Sequence, residues 1–394
     1  MSAPVSHATQ PLGSLSFSTN SPDYAIPAQP PVIQNESALR WYSYNGIIRV
    51  VKFLARCPVV CRLPGVAAVS HLFSKVAEFK KSAEYPLMQS RTMLLGSDAY
   101  DVSVVTEFEK FKREHQAWFQ GKELSVTISD SSDSLRVCGG ENVVVVNYAN
   151  AIHPGGAALW GGHGSQEESL FRDTLLYASI DPEANAELQH NIQRKALAAH
   201  RHIPNVGGIF SPAVPAMHDF SKKYNFLSVA ACDLRPKHML LGPCGRHQNP
   251  ERLAYSNPDG SINYPLVEMR TKWMLRISLI EMVKANITQL QSAQVPDDQI
   301  KTKRIDTICL GGLGCGAFRN DAKKVARWIT EVLREPIFKG VFTRWIIPQG
   351  TNGEDAACYY KDGALLDYDE VLRQQLPIQP YLRQAFVHAV KTAN

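Results

Sequence analysis

Asn150, the glycine pair Gly155-Gly156 and two adjacent carboxylates, Glu167 and Glu168, fall within one loop that leaves the apolar run Val143-Val144-Val145-Val146. Glycines admit backbone conformations closed to other residues and let main-chain N–H groups approach a ligand closely. The Asn150 amide both donates and accepts, as recognition of sugar hydroxyls requires. Adjacent carboxylates repel, but the positive end of a helix macrodipole offsets that repulsion, and one of the two can then hold a proton. An unbroken β-branched run reads as a strand buried on both faces, and in open α/β sheets ligands sit beyond the carboxyl ends of such strands. The loop is therefore where a ligand is expected.

A second glycine-rich turn, Gly311 to Phe318, follows another apolar run and precedes Asn320 and Asp321, the latter placed to cap a helix. Successive N–H groups at Gly314, Cys315, Gly316, Ala317 and Phe318 would form an anion nest ahead of that helix. Cys315 has no histidine at a convincing sequence distance, so it is assigned backbone duty rather than nucleophilic chemistry.

These segments resemble the macrodomain-type poly(ADP-ribose) glycohydrolases in their compact microbial form. Asn147-Tyr148-Ala149-Asn150 is similar to that family's Asn-x-Ala-Asn, Pro154-Gly155-Gly156-Ala157 to its Pro-Gly-Gly-Gly, and Gln166-Glu167-Glu168 to its Gln-Glu-Glu. Leu310 to Asp321 resembles the diphosphate loop, Ser211-Pro212-Ala213-Val214-Pro215 a strand of the family, and Arg270 to Ile287 its long helix. The resemblance covers residues 98–350. It implies a hydrolase that releases ADP-ribose from poly- or mono-ADP-ribosylated protein through an oxocarbenium-like state. Glu168 would protonate the departing 2′-oxygen and later deprotonate water, while Glu167 would hold the ribose hydroxyls. Asn150 would fix the distal ribose, and Gln166, Gly155, Gly156 and the second turn would complete the ADP-ribose site. Phe318 would either pack against the terminal ribose or anchor the core. No cofactor and no metal is implied.

Simpler readings stand beside each role. Paired acids at a helix start stabilise the dipole without any chemistry, and a loop asparagine often bonds its own backbone. Ala157 replaces the third glycine, and where φ must be positive an alanine costs about 1 kcal/mol or more. Polymer and single-unit substrates both stay open for that reason. A non-catalytic ADP-ribose reader is the alternative from another class, and a deacetylase acting on acetylated ADP-ribose, with less need of Gln-Glu-Glu, ranks last. Asp130 or Asp133 would either accept a bond from the adenine amino group or belong to a solvated turn; His153 and His163 read as polar loop residues.

The net charge of +5 is spread along the chain without a Lys/Arg block, which argues against direct nucleic-acid binding while suiting a polyanionic substrate. Cysteines at 57, 61, 138, 232, 244, 309, 315 and 358 show no Cys-x-x-Cys, so reduced thiols and a reducing compartment, cytoplasm or nucleus, are expected. Cys57 and Cys61 lack companion ligands at zinc spacing. The first basic residue is Arg40, which argues against a targeting segment. The apolar region 46–70 is interrupted by arginine, lysine and proline, short of the roughly 20 residues a membrane span needs.

Alternating strands and helices predict an α/β fold, a mixed sheet flanked by helices on both faces, with N-terminal helical and C-terminal extensions, and the resemblance implies that this sheet is macrodomain-like. Strands are expected over 125–129, 143–147, 209–214, 226–231, 305–310 and 341–347, and helices over 101–119, 166–179, 184–199, 266–285 and 321–334. Residues 1–38, rich in Ser, Pro and Gln, read as a flexible arm. Residues 39–97 read as a helical extension that packs on the core or docks on acidic lipid or a protein partner, 98–350 as the catalytic domain, and 351–394 as a C-terminal extension.

Overall fold

The computed structural model describes residues 64–394 apart from 121–122, 130, 157, 159–164, 183, 196, 198–200, 237–248, 350–355, 363 and 393–394. The flexible arm and residues 39–63 of the helical extension expected from sequence lie outside the described residues, as do Ala157, Asp130 and His163.

The sheet is mixed and has seven strands in the order β1-β4-β5-β3-β6-β7-β2. They are β1 (Met93–Ser97), β2 (Ser125–Ser129), β3 (Val143–Tyr148), β4 (Val206–Pro215), β5 (Lys223–Val229), β6 (Thr307–Cys309) and β7 (Arg344–Pro348). Strand β3 runs parallel to both neighbours, β5 and β6, with Val143 opposite Thr307 and Val145 opposite Cys309. The two glycine turns therefore leave adjacent strands at the same edge of the sheet.

The valine run shows why a strand with no polar alternation belongs at the centre. Val144 and Val146 enter one apolar layer, Val143 and Val145 the other, and none of the four is more than 2 % exposed. One layer is covered by α1 (Pro64–Phe79), α2 (Glu84–Arg91), α5 (Gln166–Asp173), α6 (Leu176–Ile180) and α7 (Ala186–Arg194). The other is covered by α3 (Val102–Glu114), α9 (Tyr264–Ser292), α11 (Ala322–Leu333) and α13 (Ile378–Thr392). Short helices α4 (Ser134–Val137), α8 (Pro250–Ala254), α10 (Asp297–Lys303) and α12 (Tyr368–Arg373) complete the described set. Asp321 caps α11 by accepting from the Lys323 and Lys324 N–H groups, and Val325, Ala326, Ile329, Val332 and Leu333 bury its inner stripe. Both features match the sequence reading.

Four expectations change. Strand β1 pairs antiparallel with β4, and Leu72, Val76, Phe79 and Met88 share a core with Val143, so the described part of the N-terminal extension is built into the domain and the boundary at 97/98 cuts its sheet. The C-terminal extension is likewise core: Tyr381 and Phe386 are fully buried, and Arg383 Nη1 donates to the Ser129 and Gln349 carbonyls. The helix expected over 166–179 breaks at Thr174, which forms an antiparallel bridge to Ala216. Cys138 and Cys309 form a disulfide rather than free thiols, a pairing across 171 residues that only the fold brings together. Among the described residues, no helix is long and apolar enough to cross a membrane.

Candidate active site

Helix α5 opens with the residues that bear the acids. Ser165 is its N-cap in a reciprocal capping box: the Ser165 hydroxyl accepts from the Glu168 N–H, and Glu168 Oε2 accepts from the Ser165 N–H at 3.0 Å. Gln166 fastens the helix start to β3. Its Oε1 accepts from the Tyr148 N–H at 2.9 Å, and its Nε2 donates to the Val146 carbonyl at 2.8 Å and to Ser134 Oγ. Its amide is thus engaged by the protein and ties the helix that bears the acids to the sheet.

Asn150 sits where β3 opens into the loop. Its N–H donates to Glu167 Oε2 at 3.0 Å, while its Oδ1 accepts from the Ile152 and His153 N–H groups. The turn reading thus describes its oxygen, and Nδ2 is the group left to meet a sugar hydroxyl. Gly155 has φ +83°, and a Cβ there would lie 2.5 Å from the Phe171 ring, so only glycine fits. A Cβ on Gly156 would lie 3.4 Å from Glu167 Oε2 and 3.8 Å from Glu168 Oε1. Both carboxylates therefore converge on the glycine pair.

Glu167 is 2 % exposed, and burial pushes its carboxyl up to about 8, opposed by N–H groups of Asn150 and Gly155 and by the Asn147 side chain, and reinforced by the charge of Glu168. With Asn147 Nδ2 on Ser228 Oγ at 3.0 Å, Asn147 Oδ1 and Glu167 Oε1 are two buried acceptors without partners. A proton on Glu167 would join them. The flipped amide would instead donate to a Glu167 carboxylate and accept from Ser228, since the two ends of an amide are assigned by hydrogen bonding alone. The size of the burial effect favours the protonated form near neutral pH.

The second turn is locked to the first. Gly311 N–H donates to Tyr148 Oη at 2.5 Å, so the last residue of β3 holds the start of the turn that follows β6. Gly314 has φ +72°, and a Cβ would lie 2.4 Å from that of Ala231. Asn320 Nδ2 donates to the Gly314 and Cys232 carbonyls. Gly316 and Ala317 are exposed, and Phe318 is half-buried with the Arg235 guanidinium 5.2 Å from its ring centre. Arg235 is in turn gripped by both oxygens of Asp233. Cys315 points into the core, where burial raises its thiol well above the ordinary value, in keeping with the backbone duty assigned to it. Asp133 caps α4 through the Leu135 and Arg136 N–H groups, which is the turn reading rather than adenine recognition.

Sequence reasoning did not single out Phe171, Arg235 or Asp233. Phe171 acts by packing against Gly155 across the loop, which no local pattern reveals; Asp233 and Arg235 stand two apart and carried no motif. Asn320 stands out in sequence only for its place before the helix, and its bond to the Gly314 carbonyl gives it a part in the turn.

Residues 75–219 match the family model described as microbial-type PARG, catalytic domain. Over that segment the chain is similar to the microbial PARG family. The activity that goes with the match is that of a poly(ADP-ribose) glycohydrolase, releasing ADP-ribose. The matched segment contains Asn150, Gly155, Gly156 and Gln166-Glu167-Glu168, and ends before the second glycine turn. Solved structures similar to it include poly(ADP-ribose) glycohydrolase from Deinococcus radiodurans in complex with ADP-ribose, at 18 % identity and TM-score 0.45, covering 79 % of this chain and 99 % of that one. The enzyme from Thermomonospora curvata is similar at 17 % identity and TM-score 0.44, covering 82 % and 99 % respectively. No curated protein matches the chain.

Proposed function

We propose that the protein cleaves the glycosidic bond at a terminal ribose of ADP-ribosylated protein, with Glu168 as the acid and base and Glu167 and Asn150 as ribose-holding groups. The convergence of both carboxylates on Gly156, at the edge where two glycine turns leave adjacent strands, carries this reading. Glycoside hydrolysis needs a proton for the leaving oxygen and a base for the incoming water, and one glutamate can serve both steps in turn. A neutral Glu167 suits that cycle, because Glu168 can become a carboxylate without a second negative charge beside it. The N–H groups of the second turn supply the place for a diphosphate.

The reader alternative has one observation in its favour: Glu168 Oε2 is committed to the capping box. Glu168→Gln separates the two, because glutamine preserves a capping box while removing the proton donor. ADP-ribose release from polymer and from arginine-, serine- and glutamate-linked single units should fall by about 100-fold or more, with ADP-ribose affinity changed by less than about threefold. Wild-type protein that binds ADP-ribose but releases no more than one product per molecule would establish a reader instead.

A further inference from the structure

Beside the second glycine turn lies a group of polar side chains for which the proposed reaction has no use. Arg270, on α9, is fully buried, and its Nε donates to Asn205 Oδ1 at 3.3 Å, yet neither Nη1 nor Nη2 has a partner in the protein. Tyr100 Oη, Arg201 Nη2 and Glu251 Oε1 are also buried atoms without partners. Tyr100, Tyr255, Glu251 and the Cys232 thiol surround Arg270 closely enough to interact with its charge, and Arg201 acts on Cys232 and Tyr255 from the same surroundings.

These residues come from separate elements that meet at one sheet edge. Tyr100 follows β1, Asn205 precedes β4, Cys232 follows β5, and Glu251 lies on α8. Asn320 joins the group to the glycine turn by donating to both the Cys232 and Gly314 carbonyls. The group is thus next to the diphosphate turn but on the β1-β4-β5 side of it.

A buried guanidinium with two unsatisfied nitrogens is costly and persists where something answers its charge. The unanswered donors are Arg270 Nη1 and Nη2, Arg201 Nη2 and Tyr100 Oη; the unanswered acceptor is Glu251 Oε1. The group holds two cations and one carboxylate, so it attracts an anion. A carboxylate ion or a sulfate can accept from these donors, but neither brings a proton for Glu251. A protonated phosphate has both, with its oxyanions for the guanidinium groups and its P–OH for the acid. We propose that Arg270, Arg201, Tyr100 and Glu251 form a second anion site, separate from the diphosphate turn, that takes inorganic phosphate or a phosphate monoester in its protonated form.

The test uses the full chain, with thermal unfolding followed against inorganic phosphate, ribose 5-phosphate and sulfate, and ADP-ribose binding followed by calorimetry. Phosphate or the monoester should raise the unfolding midpoint, and the tighter of the two names the source. Sulfate should bind about tenfold or more weakly, the value of a charge-assisted hydrogen bond to Glu251. Glu251→Gln should narrow that gap. Arg270→Met should abolish the phosphate response while ADP-ribose affinity stays within about threefold of wild type; if that variant fails to fold, Arg201→Gln carries the same expectation. No response to either phosphate, a response that survives both arginine variants, or competition between phosphate and ADP-ribose would overturn the proposal, whereas loss of ADP-ribose release with the phosphate response intact would count only against the proposed function.

Discussion

Replacing Glu167 by glutamine should stabilise the protein, and by more as the pH rises. The carboxyl is moved from its ordinary 4.5 up to about 8, chiefly by burial. An acid whose folded value is raised keeps its proton in the native state after the unfolded chain has released it. Stability therefore falls as pH climbs from about 4.5 to about 8 and is level above. At about 1.4 kcal/mol for each pH unit across that window, the full loss approaches roughly 5 kcal/mol, of which less than about 1 kcal/mol has accrued by pH 5. Glutamine has no proton to lose, its carbonyl can accept from the Asn150 N–H, and its amide can donate to the bare Asn147 Oδ1. The gap between variant and wild type should grow from under about 1 kcal/mol at pH 5 to about 5 kcal/mol at pH 8.5, read from urea unfolding at a series of pH values. A gap that is flat with pH, or that shrinks as pH rises, would mean that Glu167 is an ion in the folded state and that the Asn147 amide is its partner; the neutral Glu167 invoked in the reaction would then be wrong.

The mirror case is His202, 4 % exposed with both ring nitrogens lacking partners, its value lowered from 6.5 to about 3 by burial, with His153 and Arg201 adding to the effect. A base lowered in this way contributes stability that is complete above about 6.5 and lost as pH falls toward 3, so His202→Leu should reduce the drop in thermal midpoint between pH 7 and pH 4, by the equivalent of about 3 kcal/mol; equal drops in both proteins would refute it. Gly314→Ala should destabilise by about 2–4 kcal/mol in urea unfolding, since the added methyl meets Ala231 and Asn320 at positive φ, whereas Gly316→Ala, with nothing within 4 Å of the new Cβ, should leave stability within about 0.5 kcal/mol and weaken only ADP-ribose binding.

The parts of the fold legible in sequence were those set by short-range rules. Four consecutive valines predicted a strand buried on both faces, and they feed the two cores alternately. Asp321 with a helical stripe behind it predicted α11 and its cap. Strand β1 was missed because Met93-Leu94-Leu95-Gly96-Ser97 is short, lacks alternation and is completed only by its antiparallel partner β4. The C-terminal helix failed for a similar reason, since what makes Tyr381 and Phe386 core is the surface they meet, not their own spacing.

The site divides along the same line. Residue types announced the chemistry: two acids at a helix start and glycines at two turns. Their division of labour was not legible, because it is set by partners far away in the chain. The amide of Gln166 is engaged by the β3 backbone, and Asn150 spends its oxygen on its own turn while its N–H holds Glu167. Burial then separates two chemically identical neighbours. Glu167 is walled in beneath the loop, where burial favours a proton, and Glu168 curls over the helix start toward the glycine pair. In the proposed reaction a repeated pair of acids would become a holder and a reactant through position alone, so the substitutions at 167 and 168 are expected to differ in kind: the first should move a stability profile along the pH axis, and the second should remove turnover.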